Sequence, residues 1–428
     1  MTKKIAFISE HASPLATLGG VDSGGQNVYV AELAKHLSSL NYEVDIFTRW
    51  EDASLPSVIN WIEGVRVIHV KAGPREIVAK EEIWQFMPEF TQSMLAFISA
   101  EKLKYEMVHA NFWMSAHVAA EIKQVLGIPF VVTFHALGHV RRVHQGNSDK
   151  FPPERVLVEE IAAAAADHII AECPQDREDL IKYYNAQPEK ITIIPCGFNP
   201  VEFYPVDKKE ARAKLGLSPD EHIILQLGRM VPRKGVDNVV KSLAKIRQHK
   251  MSVRLIVVGG ETDSPEPSNC KEVARLMEIA ERDGTTDCVS FVGRKNRDML
   301  RYYYSAADIF ITTPWYEPFG ITPLESMACG TPVIGARVGG IKYSVADGKT
   351  GFLVEPNDAQ GLASKVTLML GNPGLLARMK DNCIKRVNAL FTWATVANAT
   401  SCLYENVLQS IKQTSTVSRK SKNKVKAA

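Results

Sequence analysis

Several signatures are missing from this 428-residue chain, and each absence narrows what it can do. The seven cysteines, Cys173, Cys196, Cys270, Cys288, Cys329, Cys383 and Cys402, form no C-x-x-C pair and no His/Cys group at metal-ligand spacing. Neither a disulfide framework nor a structural metal centre is indicated, and reduced thiols in a cytoplasmic protein are the expectation. No run approaches the roughly 18 apolar residues of a membrane span, so no transmembrane segment is expected. The first lysines are not followed by the apolar stretch of a secretory leader. Charge of one sign is also scarce. The net charge of +3 is small for this length, and part of it sits in the terminal run SRKSKNKVKAA, so nucleic acid is not an expected partner.

What is present describes a soluble globular protein: 45% hydrophobic and 23% charged residues. A single core stops growing at roughly 250–300 residues, so two domains are expected. Short apolar runs begin at Ile5, Val44, Val65, Met107, Phe130, His168 and Ile191. Helix-period segments lie between several of them, as with Val30, Leu33, Ala34 and Leu37. After the Pro-punctuated PCGFNPVEFYPVDKKEAR the series restarts at Ile223, Leu255, Val289, Asp308, Pro332 and Gly351. Strands alternating with helices predict doubly wound parallel sheets, whose ligands bind at the carboxyl ends of the strands. The expected divisions are a first α/β domain over 1–198 and a second over 199–390. A helix over 391–411 is expected to pack back on the first domain. A basic tail over 412–428 lacks apolar periodicity and is expected to be solvated and without fixed structure.

Four stretches could carry chemistry at those edges. GGVDSGGQNVYVAELAKHL follows the first strand without the G-x-G-x-x-G spacing. It could present backbone N–H groups to an anion at a helix start near Gly25 or Gln26, or be a tight turn with no ligand. LGRMVPRKGVD follows the first strand of the second domain and offers Arg229, Arg233 and Lys234, cations able to neutralise a diphosphate as its charge develops. WYEPFGITPLESMACGTPVIGARVGG places Glu317 on a loop and Glu325 on the helix behind it. Carboxylates there can accept hydrogen bonds from ribose or sugar hydroxyls. VVTFHALGHVRRVHQG ends a strand in His135, with Arg141 and Arg142 following. The remaining histidines, His109, His117 and His168 among them, read as structural.

Taken together and in this order, these runs resemble the retaining, nucleotide-sugar-dependent glycosyltransferases of the group-one, family-four type, from Lys4 to about residue 408. The resemblance implies the GT-B fold: two Rossmann-like doubly wound domains facing across a cleft. It implies Gly24 and Gly25 near the donor phosphates and acceptor, Arg229 and Lys234 gripping the diphosphate, Glu325 on the ribose and Glu317 beside the donor sugar. It also implies backbone donors around Phe319, Gly320 and Ile321, and His135 near the C6 hydroxyl of the donor sugar. It implies no metal and no cofactor beyond the nucleotide-sugar substrate, and the chain has no D-x-D pattern.

Within the family, DSGGQNVYVAELAKHL, HANFW, FHALGHVRR and FPPERVLVE are most similar to the sucrose-phosphate synthase and inositol-phosphate glycosyltransferase branches. By that resemblance Lys80, Arg141 and Arg155 are acceptor-phosphate cations, with Gly25, Gln26 and Phe112 beside them. Phe112 and Ala136 stand where the inositol-phosphate branch carries tyrosine and threonine, whereas Gln26 favours the sucrose-phosphate branch. The function implied is transfer of a hexosyl group from a UDP-sugar, UDP-glucose foremost, to a phosphorylated sugar, with fructose 6-phosphate the leading acceptor. The alternatives are an inositol-phosphate, other small or lipid-linked acceptor, a sugar-nucleotide epimerase or phosphorylase on the same fold, or a non-catalytic sugar-nucleotide binder.

Overall fold

A computed structural model of the protein describes residues 2–16, 24–260 and 262–426. Gly19 and Gly20 of the glycine-rich stretch lie outside the described residues. The first sheet contains β1 (Lys3–Ile8), β2 (Tyr42–Arg49), β3 (Val58–Ile62), β4 (Val65–Val70), β5 (Met107–Asn111), β6 (Phe130–Thr133), β7 (His168–Ala171) and β8 (Ile191–Ile193). Its order is β3-β4-β2-β1-β5-β6-β7-β8. The second contains β9 (Ile223–Leu227), β10 (Arg254–Val258), β11 (Val289–Gly293), β12 (Ile309–Thr312), β13 (Val333–Ala336) and β14 (Gly351–Val354), in the order β11-β10-β9-β12-β13-β14. Every expected apolar run is a strand in one of these sheets.

All neighbouring strands are parallel except β3, which pairs antiparallel with β4. β3 was not among the expected strands. Its residues are partly exposed at the sheet edge, so VINWI carries no strong apolar signature. It returns to β4 through Glu63 and Gly64, the glycine at φ +75°.

Parallel strands covered on both faces need apolar residues on both. β1 supplies them: Ala6 and Ile8 belong to one layer with Val108 and Ala110, while Ile5 and Phe7 belong to the other. That second layer takes Val30, Leu33, Ala34 and Leu37 from the Gly25–Ser38 helix, as their spacing predicts. It then continues without interruption to Phe310 and Leu324 of the second domain and to Trp393. In both sheets the strand order turns back beside the first strand, at β1/β5 and at β9/β12. Such a reversal opens a crevice at the carboxyl ends, and these crevices position the site.

The chain passes between the domains twice, and the passages lie side by side. Phe198 N–H donates to Phe391 O at 2.8 Å, and Trp393 N–H donates to Phe198 O at 3.2 Å. A Cβ on Gly197 would lie 2.8 Å from the Trp393 ring, so only glycine lets the strands approach this closely. The final helix, Trp393–Lys426, then packs on the Gly25–Ser38 helix. It also reaches the first sheet: Tyr404 Oη is 2.6 Å from His109 Nδ1, and Tyr42 Oη donates to Glu405 Oε1 at 3.0 Å.

Within the segment 412–428, expected to lack fixed structure, the helix runs on to Lys426, and Ala427 and Ala428 lie outside the described residues. The segment contains no glycine or proline, and extending an existing helix adds one hydrogen bond per residue without a new nucleation cost.

Trp393 is fully buried in the layer shared by both domains. Trp393→Ala is expected to destabilise the protein by about 3–5 kcal/mol. A urea titration followed by circular dichroism should show a clearly lowered midpoint. An unchanged midpoint would contradict the structural role given to the crossing.

Candidate active site

Loops from the carboxyl ends of both sheets enclose a cavity of about 320 Å³. The first domain supplies His11 beyond β1, Gly24, Gly25 and Gln26 at a helix start, and Phe112 and His135 beyond β5 and β6. Lys80, Arg141 and Arg155 line the same wall. The second domain supplies Arg229, Arg233 and Lys234 beyond β9, and Tyr316 to Thr322 beyond β12. Fourteen of the expected site residues therefore meet in one cavity, and Glu325 does not.

Close backbone packing brings the second-domain loops together. Gly235 adopts φ +65°, and a Cβ there would lie 1.9 Å from Thr313 O, so the β9 loop rests directly on the β12 loop. Gly339 does the same from below: at φ +39°, its Cβ would lie 1.9 Å from Glu317 O. Gly340 N–H donates to Glu317 O and Pro318 O at 3.2 and 3.1 Å. The consequence is a direct ion pair in which Lys234 Nζ donates to Glu317 Oε2.

Three cations, Arg229, Arg233 and Lys234, act on Glu317 at this end. Burial, reinforced by Arg233 and Arg229, lowers the Lys234 pKa to about 8 against the opposing pull of Glu317. Burial also works against the Glu317 carboxylate, but the three cations outweigh it and hold it below the usual range. A cluster of fixed cations in a semi-enclosed pocket suits a polyanion such as a diphosphate.

The first-domain wall is organised differently. Lys80 lies 3.4 Å from Glu81, Arg141 Nε donates to Asp149 Oδ1 at 2.7 Å, and Arg155 Nε donates to Glu159 Oε1 at 2.8 Å. These carboxylates are not part of the cavity lining, so each cation is braced from behind. Arg155 is 1% exposed, sits 4.5 Å from the Phe151 ring centre and 4.9 Å from that of Phe112, and has no hydrogen-bond partner for its buried Nη1. A buried guanidinium nitrogen left unpaired costs free energy and marks a place where an anion can be accepted.

The two strand-end residues adopt backbone conformations that side chains rarely take: φ is +91° at Phe112 and +59° at His135. Such strain clusters at functional sites. Both His135 nitrogens are already engaged, Nδ1 with Glu172 Oε1 at 3.0 Å and Nε2 with the Asn111 side chain at 3.1 Å. His135 therefore borders the cavity as a fixed element braced by Glu172 and Asn111.

Glu325, expected on the ribose, is held by two protein partners. Its carboxylate accepts a hydrogen bond from Tyr304 Oη at 3.0 Å and pairs with Arg297 at 3.4 Å. Burial raises its pKa despite these partners. Arg297 stands at the start of its own helix, and the sequence around Glu325 gave no sign of this partner 28 residues upstream.

Sequence reasoning did not single out Tyr316, which joins the domains. Its ring stacks on His144 at 5.0 Å, its hydroxyl accepts a hydrogen bond from Gln145 Nε2, and the Arg233 guanidinium lies 5.5 Å from its ring centre. Two further links cross nearby: Cys173 Sγ donates to Pro318 O at 3.4 Å and Lys342 Nζ to Gln175 Oε1 at 2.6 Å. The aromatic pair preceding E-P-F-G was the available signal. A larger cavity, about 430 Å³, adjoins on the far side of Tyr316. The smaller one holds the cation clusters, and the chemistry belongs there.

The fold and site define a sugar-transferring enzyme of the GT-B class, and the comparisons agree. The model described as "Glycosyltransferase Family 4" matches residues 23–202, and "Glycosyl transferases group 1" matches residues 207–386. The chain belongs to this glycosyltransferase family and is a transferase that takes its sugar from a nucleotide sugar. It is 34% identical over 418 residues to D-inositol 3-phosphate glycosyltransferase 2 of Catenulispora acidiphila, covering 96% of this chain and 97% of that one. Among solved structures it is similar to sucrose-phosphate synthase from Thermosynechococcus elongatus, with a TM-score of 0.86, 34% identity, and coverage of 95% and 100% of the two chains. Anabaena HepE in complex with UDP-glucose shares the fold, with a TM-score of 0.71, 20% identity, and coverage of 96% and 99%. Among the described residues, no helix is long and apolar enough to cross a membrane.

With its pKa lowered to about 8, Lys234 loses its charge as pH rises past that value. Affinity for a nucleoside diphosphate should therefore fall between pH 7 and pH 9. In Glu317→Gln, Lys234 has lost the carboxylate that favours its charged form, so the fall should move to lower pH. Titration calorimetry across this range checks both, and a flat profile in the parent protein would contradict the assignment.

Proposed function

We propose that the protein is a retaining, metal-independent hexosyltransferase that moves glucose from UDP-glucose to a phosphorylated sugar, with fructose 6-phosphate the leading acceptor. The observation that carries this reading is a single cavity with a cation cluster on each wall: Arg229, Arg233 and Lys234 on one, Lys80, Arg141 and Arg155 on the other. One cluster suits the donor diphosphate and the other an acceptor phosphate. The phosphate in the names of both 34% identical proteins, one on its acceptor and one on its product, supports the second half.

In the proposed reaction the bond from C1 of the sugar to the diphosphate breaks and a bond from C1 to an acceptor hydroxyl forms on the same face. The proton of that hydroxyl passes to the departing phosphate oxygen. Arg229 and Lys234 stabilise the charge that develops on the diphosphate, the task a metal ion has in other transferases. Glu317 holds Lys234 in position and faces the donor sugar. These substrates are water-soluble metabolites, consistent with a cytoplasmic location.

Gln26 favours fructose 6-phosphate, and Phe112 and Ala136 offer no hydroxyl to an inositol phosphate. A second reading, transfer to inositol 3-phosphate, is favoured by the name of the first relative. Release of UDP from UDP-glucose in EDTA, with fructose 6-phosphate, fructose and inositol 3-phosphate as acceptors, separates them. Turnover with fructose 6-phosphate and not fructose is the expected result. Lys80→Ala should then raise the KM for fructose 6-phosphate by roughly 10- to 100-fold, the range for loss of one charged hydrogen bond, and leave that for UDP-glucose within a few-fold. Equal turnover of fructose overturns the phosphate reading, and turnover of inositol 3-phosphate alone selects the second one.

A further inference from the structure

Lys80 reaches the cavity from a segment with little structure of its own. Residues 71–82 join β4 to the short 3-10 helix Ile83–Phe86 without helix or strand, and Pro74, Arg75, Glu76 and Ile77 are exposed, Ile77 to 84%. A stretch so poor in buried apolar contacts is held by specific bonds or not at all. Arg49, the last residue of β2, supplies them: it is 1% exposed, and its guanidinium donates from Nη1 to Pro74 O at 2.7 Å and from Nη2 to Glu76 O at 2.5 Å. The next residue adds a contact, the Arg75 guanidinium lying 3.7 Å from the centre of the Trp50 ring. Gly73 fixes the start of the segment, its N–H donating to Glu89 Oε2 at 2.7 Å.

The surroundings of Arg49 show what the fork contributes. Glu51 Oε2 is 3.9 Å from Nη2, beyond hydrogen-bond distance, and the buried Nε has no hydrogen-bond partner. A guanidinium taken out of water is costly, and an apolar side chain of similar size would fill the space at less cost. What only arginine supplies is a planar pair of donors that grips two carbonyls together. Both carbonyls belong to exposed residues that water could satisfy equally well, so the grip contributes position more than stability. Four residues beyond Glu76 the chain delivers Lys80 to the cavity, which Arg49 itself does not line.

We propose that Arg49 is a positioning residue for the reaction: by clamping the carbonyls of Pro74 and Glu76 it sets the path of residues 73–80 and so the place of Lys80 on the first-domain wall. The proposal rests on the reading that Lys80 meets the acceptor phosphate.

Arg49→Met, apolar and of similar length, removes the fork. The KM for fructose 6-phosphate should rise by about tenfold, while UDP affinity by titration calorimetry and the KM for UDP-glucose stay within about twofold. Arg49→Lys, with a single donor group, should give an intermediate KM. A cycle with Lys80→Ala separates positioning from general loosening. In the Lys80→Ala background, Arg49→Met should change the acceptor KM by less than about twofold, because the two residues act as a unit. An unchanged acceptor KM in Arg49→Met, a rise that adds in full to that of Lys80→Ala, or an equal loss of UDP affinity would overturn the role. The same cycle run with Arg49→Lys decides the matter if Arg49→Met does not fold. Should the parent enzyme use none of the phosphorylated acceptors, it is the acceptor reading that fails. The clamp is then decided by limited tryptic digestion of the parent and the two Arg49 variants. Cleavage after Arg75 faster by about tenfold, with other sites unchanged, supports it, and an unchanged rate overturns it.

Discussion

The ion pair between Lys234 and Glu317 is the constraint on which the rest of the site depends. It joins the loops that follow β9 and β12, the two strands at which the second sheet reverses its order. Lys234 remains 20% exposed and Glu317 14%, so the pair is sheltered but reachable from the cavity. Arg229 and Arg233 stand beside it, and a cluster of fixed cations around one carboxylate suits a polyanion. Gly235 and Gly339 are needed because any side chain there would force the loops apart and break the pair.

The opposite wall obeys another logic. Its three cations are each braced by an acid standing behind the cavity lining, so their positions are fixed before a ligand arrives. Such pre-organisation lowers the ordering cost of binding and gives direction to an approaching group. The walls keep their spacing because the domains share one apolar layer through Trp393 and meet again at Tyr316. Tyr316 has a particular place in this scheme, touching Arg233 of the second-domain cation cluster and the helix that carries Arg141. A shift of one domain against the other would therefore be felt at both cation clusters.

How far the sequence discloses this depends on whether a feature is local. Strands buried on both faces, such as β1 and β9, are continuous apolar runs and are legible directly; the partly exposed edge strand β3 is not. Lys234 and Glu317 are legible because each follows a strand in a glycine- or proline-marked loop. The partners of Glu325 are not legible in its own stretch, because Arg297 and Tyr304 come from a different helix. The composition of the tail carries no apolar periodicity, yet it holds no glycine or proline to stop the helix that runs on to Lys426.

The central claim is that the second-domain wall is built to hold two phosphates by fixed cations alone. The direct measurement is the affinity of the protein for UDP, UMP and uridine by titration calorimetry in EDTA. Charged hydrogen bonds to the second phosphate should make UDP bind on the order of 100-fold more tightly than UMP, with no metal added. Equal affinities for UDP and UMP, or UDP binding that appears only when a divalent cation is supplied, would contradict it.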